Sequence, residues 1–269
     1  MRAIFQLTFH RLVISARNLL GMVTWQVCRT WCIVLPVFIA TSYFSIHVYH
    51  KMDNHWFMQV IVPEEMPDAL KAGMDRGGVS PALQQEILQL AEFHTYPAPG
   101  VLIGAFMVDY AMELLGVTKG RKLYGVCETP KCLPDALQVM AHITIGNNRL
   151  KIVPIGKFAI TINLPSEDAI ADAVRVYVDL EKLKKYPTIE IWYANSPAFD
   201  KRTMKGQLFD EIFCAGRNIL SFERVRVTVK KKEKWSSVTC LCCGETVPDY
   251  LIEGDRCGAC SSMKYYAKI

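Results

Sequence analysis

The first 52 residues contain no aspartate or glutamate, although the chain carries 26 acids against 31 Lys+Arg. Arg2, Arg11, Arg17, Arg29 and Lys51 supply all the formal charge of that segment, which leaves 26 basic and 26 acidic residues in 53–269. The net charge of +5 is therefore N-terminal, and the neutral remainder argues against a nucleic-acid partner, which needs a sustained cationic surface. Sixteen Gly and 13 Pro are too few for a fibrous protein, and there is no internal repeat or long low-complexity tract. A chain that is 51% apolar and only 21% charged is not disordered. At 269 residues it has enough length for one large domain or two smaller ones with a real core.

What is present at the N-terminus is apolar. Thr30 to Val48 is a run of 19 residues without Asp, Glu, Lys or Arg, close to the roughly 20 needed to span a bilayer as helix. The mean hydropathy of +0.15 has much of its origin there. Segment 1–51 is read as an apolar, basic-flanked helix. It is either a single-pass anchor with a cytoplasmic N-terminus or a docked apolar extension. In a third reading it is a false start, with translation beginning at Met52 or Met58. The protein is membrane-anchored in the first reading, through residues 30–48, and cytoplasmic in the last. Segment 52–79, with Pro63, Pro67 and the Gly77-Gly78 stop, reads as a linker.

Residues 80–229 read as a core of mixed helices and strands in irregular order, the signature of an α+β fold. Ser80-Pro81 has the N-cap and N1 types of a helix running to about His94. Pro97-Ala98-Pro99-Gly100 breaks the chain before a second helix over 101–115, with Gly116 at its C′ position. A strand over 122–128, a helix over 134–143, a strand pair at 150–153 and 158–164, and strands at 173–178, 189–193 and 222–229 follow, with a helix over 206–220.

In the tail, Cys240-x-x-Cys243 and Cys257-x-x-Cys260 are separated by 13 residues. Each pair can aim two thiolates from a tight turn at one point, so residues 236–265 read as a structural zinc module of zinc-ribbon or treble-clef type. Zinc suits four sulfurs and needs no redox change, and metal binding would supply the folding energy that so short a segment lacks. Two disulfides or an iron–sulfur cluster are the alternatives, and Cys242 could replace Cys243.

A second constellation comprises His94, Glu128, Cys132, Asp135, Gln138 and His142. Asp135, Gln138 and His142 can share one helix face, and Cys132 precedes that helix, where the dipole would lower a thiol pKa. Cysteine, imidazole and carboxylate together suit a transition metal or a nucleophile, with Cys132 and Asp135 the catalytic candidates. Packed core residues with a capping Asp135 are the bland alternative.

These residues also carry a resemblance. Glu128-x-x-x-Cys132-x-x-Asp135-Ala136-x-Gln138, Thr144-x-Gly146-Asn147-x-x-Leu150 and Gly156-Lys157 resemble the formylmethanofuran dehydrogenase E-subunit-like family. Glu92-Phe93-His94, Pro99-Gly100 and Leu114-Leu115-Gly116 match its opening segment, Val174-Arg175-Val176 a later strand, and the four-cysteine tail a module that some members carry. The resemblance implies an α+β core, often a homodimer, with a metal-binding cleft and no assigned reaction. The family's opening pattern, His-x-His-x-Cys-Pro-Gly, stands here as His94-Thr95-Tyr96-Pro97-Ala98-Pro99-Gly100, so one imidazole and one thiol are replaced. His142 stands where the family usually has Gly, and could compensate as a ligand for a second metal in the cleft.

The leading expectation is a metal-binding accessory protein with zinc in the tail and an altered core cleft. A thiol-dependent enzyme using Cys132 on a one-carbon or pterin-like substrate is the alternative. A zinc-module protein that binds nucleic acid or a protein partner comes last.

Overall fold

The computed structural model describes residues 46–52, 55–61, 65–229, 234–267 and 269. Most of the apolar run at 30–48 lies outside the described residues, and with it the question of an N-terminal apolar helix; Ile46–Val48 instead open a strand. Among the described residues no helix is long and apolar enough to cross a membrane.

Two compact units divide after Leu70. The first contains β1 (Ile46–Met52) and β2 (His55–Ile61), an antiparallel pair with Met52 opposite His55. Helix α1 (Glu65–Arg76) straddles the division. The segment 52–79, expected as a linker, thus holds a strand and a helix. Pro67 is the third residue of α1, in the first turn, where a missing N–H breaks no helical hydrogen bond.

In the second unit, α2 (Pro81–Phe93) begins as its sequence dictates: Pro81 is at N1 and the Ser80 hydroxyl accepts the Leu83 N–H at 3.4 Å. Helix α3 (Pro99–Leu114) is the axis of the fold. Every residue from Gly100 to Val108 is buried, so it is apolar on all sides and packed on all sides.

Beside it lies a mixed sheet of β3 (Tyr124–Cys127), β4 (Leu150–Ile152), β5 (Ala159–Asn163), β6 (Ile170–Val178) and β7 (Leu220–Thr228), in the order β4-β3-β5-β6-β7. Only β3 and β4 run parallel. Ile160 faces Val176 and Ile162 faces Val174 across β5 and β6, all four buried. On the same sheet face Phe222 meets Tyr110 of α3 edge-to-face, with ring centroids 5.7 Å apart. The strands expected at 150–153 and 158–164 both form, but β3 lies between them.

Helix α4 (Leu133–Met140) packs on α3 across Gly104, where a Cβ would stand 3.1 Å from both Ala136 Cβ and Leu133 Cδ2. Helices α5 (Leu180–Leu183), α6 (Pro187–Tyr193) and α7 (Lys205–Ala215) complete the core. The apolar stretch 189–193, expected as a strand, belongs to α6. Pro187 opens the helix, and the Glu211 carboxylate of α7 accepts the Ile189 N–H at 2.6 Å, satisfying an N-terminal donor from outside the segment. Two short antiparallel ribbons follow: β8 (Ser237–Thr239) with β9 (Thr246–Pro248), and β10 (Ile252–Glu253) with β11 (Arg256–Cys257). The core is therefore the mixed α+β fold that the sequence pattern implies.

Gly104→Val should cost about 1–3 kcal/mol through overpacking at the α3–α4 contact. Gly206→Ala is the control, because nothing lies within 4 Å of a Cβ at Gly206. Urea denaturation reads both; equal midpoints would show that the helices do not meet at Gly104.

Candidate metal centre and core cleft

In the tail the Sγ atoms of Cys240, Cys243, Cys257 and Cys260 all lie within 4.8 Å of one another. Each pair sits in a turn that follows a short strand. In the first turn, Gly244 takes φ +76° and donates to the Cys240 carbonyl at 2.8 Å, while the Cys240 N–H reaches the Glu245 carbonyl at 2.9 Å. Cys243 Sγ and Cys257 Sγ are 3.9 Å apart. Four sulfurs placed tetrahedrally at about 2.3 Å from a zinc ion are separated by about 3.8 Å, so the spacing fits that ion. The Cys257 N–H donates to Cys240 Sγ at 3.3 Å. Such backbone donors, Cys257 first and Cys243 next, pull the Cys240 thiol down to about 6 and favour the thiolate that a metal requires. The cluster could hold a metal ion such as zinc. Cys242, weighed as a substitute for Cys243, is exposed and stands outside the set of four.

The core residues converge less completely. His94 is the C-cap of α2, and its Nδ1 lies 2.5 Å from Asp135 Oδ2 in the first turn of α4. Gln138 Nε2 donates to the other Asp135 oxygen at 3.4 Å. Cys132 is the N-cap of α4, and its Sγ would stand 3.0 Å from a Cβ on Gly100 at the start of α3. The backbone at Cys132 forms a γ-turn with φ +55° and ψ −55°, closed by Leu133 N–H to Lys131 O at 2.6 Å, a sparsely populated and strained conformation. The thiol is not activated, contrary to expectation. Burial first, and the nearby Asp135 charge second, push its pKa up.

His142 and Glu128 do not join the cleft. α4 ends at Met140 with Ala141 as C-cap, so His142 falls at C′, exposed and left-handed at φ +53°. That backbone conformation favours Gly, which accounts for the family's usual residue there without any ligand role for the imidazole. Glu128 makes a bidentate pair with Arg175 Nε and Nη2 at 2.6 and 2.9 Å, and Arg175 Nη1 also reaches Glu223 at 3.2 Å. It is a clamp across β3, β5 and β6. Among the described residues, the tail is the one group of three or more Cys, His, Asp or Glu gathered tightly enough for a metal ion; His94, Cys132 and His142 are not so gathered.

Several contacts around the cleft escaped the sequence reading. Phe158 Cζ would stand 3.3 Å from the same Gly100 Cβ, and its ring meets Tyr193 edge-to-face at 6.0 Å. Tyr96, standing for the family's second His, lies under the Lys205 ammonium at 4.5 Å. Burial, and then the Lys201 charge, lower the Lys205 pKa. Arg175 carried a visible signal, since a lone charge in the apolar strand 173–178 demands a buried partner.

The chain thus combines an α+β core, a polar cluster where α4 starts beside the end of α2, and a separate cysteine cluster. The family described as "FmdE, Molybdenum formylmethanofuran dehydrogenase operon" matches residues 93–238, more than half of the 269, and the chain belongs to that family. The match stops short of Cys240, so the cysteine cluster lies outside it. The structure is similar to that of a tungsten formylmethanofuran dehydrogenase FmdE-like protein from Syntrophus aciditrophicus. The TM-score is 0.59 and the identity 34%, over 69% of this chain and 95% of that one. A probable S-adenosyl-L-methionine-binding protein of Archaeoglobus fulgidus is 36% identical over 110 residues, which is 39% of this chain and 29% of that protein. The chain spans less than a third of that relative's length.

Arg175 holds the Glu128 carboxyl below the usual range, so the pair's contribution is complete above the ordinary glutamate value of 4.5 and is lost as pH falls through the lower folded value. Glu128→Gln should cost about 1–3 kcal/mol at pH 7 and flatten the acid limb of a stability–pH profile below about pH 4.5. An unchanged acid limb would show that the pair does not titrate with folding.

Proposed function

We propose that this chain is a metal-binding accessory protein of the FmdE type, with structural zinc in the tail and a core cleft whose ligand set has changed. The observation that carries the reading is the convergence of Cys240, Cys243, Cys257 and Cys260 within 4.8 Å. Burial supports it: among the described residues of 234–269, only Cys240 and Cys257 are buried, while Leu241 and Tyr250 are 76% and 68% exposed. A segment whose interior is its sulfurs has no apolar core to hold it, and a bound ion supplies that energy. A four-thiolate site is closed, which makes the role structural. No α-helix follows Cys260 among the described residues, which favours a ribbon over a treble clef. The family resemblance extends the reading to a homodimer, which light scattering of the purified chain tests.

Elemental analysis should find about one zinc per chain. Cys257→Ser should lower that stoichiometry and expose the tail to protease while the core's thermal transition stays in place. A zinc-free chain with a protease-resistant tail would overturn the proposal.

The strained γ-turn at Cys132 favours a second reading, a thiol-dependent enzyme acting on a one-carbon or pterin-like substrate, with His94–Asp135 as an oriented base. The raised thiol pKa weighs against it. Peptide-resolved alkylation decides: Cys132 should label more slowly than free cysteine across pH 7–8.5, and faster labelling would revive the enzyme.

A further inference from the structure

Three of the chain's six histidines, His47, His50 and His55, belong to the β1–β2 ribbon, and the register of that ribbon decides which of them can act together. In a single extended strand residues 50 and 55 would alternate to opposite faces. The turn changes this. β1 and β2 are antiparallel, with Met52 opposite His55, His50 opposite Phe57 and His47 opposite Val60. Residues directly opposite share a face, and so do residues two apart along a strand. His50, Met52 and His55 therefore occupy one face at the turn end of the ribbon, and His47 the other. Ladder geometry sets the spacing of the three positions: about 5 Å across the Met52–His55 pair, and roughly 7 Å from His50 to Met52 along β1 and to His55 on the diagonal.

We propose that His50, Met52 and His55 form a copper(I) site, two imidazoles and a thioether on one face of the ribbon. The ligand types choose the ion. Imidazole accepts zinc, copper, iron or nickel, so the two histidines leave the metal open. Zinc takes thiolate, imidazole and carboxylate, and the neutral thioether of Met52 turns the preference to the softer copper(I). Charge points the same way. Four thiolates in the tail suit a divalent ion, whereas an uncharged set of two imidazoles and a thioether suits a monovalent one. The fold gives the site a structural effect. A two-stranded ribbon is marginal by itself. An ion with ligands from both strands, His50 and Met52 from β1 and His55 from β2, crosslinks them beside the turn. It also fixes the register, since a slip of one residue would send the β2 ligand to the other face. The site is independent of the zinc reading of the tail.

The test titrates the full chain, as purified, with copper(I) from its coloured bicinchoninate complex under anaerobic conditions. The parent should retain about one copper(I) per chain more than His50→Ala, Met52→Leu or His55→Ala. His47→Ala, on the opposite face, should match the parent. All these chains share the same tail, so copper taken up by its thiolates cancels in the comparison. Met52→Leu conserves volume and apolar character, so it removes the sulfur with little disturbance of the ribbon. In methyl-labelled parent protein, the Met52 methyl resonance, assigned by its absence from Met52→Leu, should shift when copper(I) is added. Equal uptake by the parent and Met52→Leu, an unmoved Met52 methyl, or a loss in His47→Ala equal to that in His55→Ala overturns the inference. A chain purified without zinc overturns the tail reading instead, and the copper difference between parent and variants is read in the same way.

Discussion

The close approach of α3 and α4 is the constraint on which the rest of the core depends. Gly100 and Gly104 lie one helical turn apart on the same side of α3, and neither has room for a methyl group without displacement of a neighbour. Gly104 admits Leu133 and Ala136, and Gly100 admits the Cys132 sulfur and the Phe158 ring edge. With α4 seated in that side-chain-free groove, its first turn reaches the end of α2, and Asp135 meets the capping His94. The polar pocket is therefore a product of helix packing. The Asn147 side chain supports it from the far end of α4: its oxygen accepts the Thr144 and Arg149 N–H groups, and its amide holds the His142 carbonyl. Much of the family's motif is accordingly architectural, as Gly156 also shows, taking φ +81° and donating to the Glu128 carbonyl at 3.0 Å.

Cysteine meets two environments in the described second unit. The core rests on burial around α3, and its buried thiol is inert. Cys127, within β3, donates to the Thr129 carbonyl at 3.0 Å, and burial pushes it up to about 11. In the tail, backbone N–H groups push the Cys240 thiol the other way. The two thiols part because burial dominates at Cys127 and backbone amide donors dominate at Cys240.

Local signals in the sequence were legible wherever the local chain decides the structure. Ser80-Pro81 at a helix start, Gly116 at φ +65° after α3 and the tail's cysteine spacing all act within a few residues. The strand expected at 189–193 failed because its arbiter, Glu211, is 22 residues away. The expected face linking Asp135, Gln138 and His142 failed because periodicity does not report where a helix stops. Glu128 entered the cleft set on motif alone, and its bidentate partner, 47 positions on, is visible only once β3, β5 and β6 are side by side.

Two positions of uncommon backbone conformation lie beside the His94–Asp135 pair. Thr95, at C′ of α2 next to His94, takes φ +64°, an outlier for a β-branched residue, and Cys132 takes φ +55°. Such conformations cost of the order of 1–3 kcal/mol each and persist only where packing over-determines them. Gly or Asn at 95 would relieve the first at once, as Gly116 does at the end of α3. Two of the five non-glycine residues at positive φ among the described residues are thus Thr95, which adjoins His94, and Cys132, which carries the cleft's sulfur. The Cys132 conformation lies beside Gly100, where its sulfur would stand 3.0 Å from a Cβ.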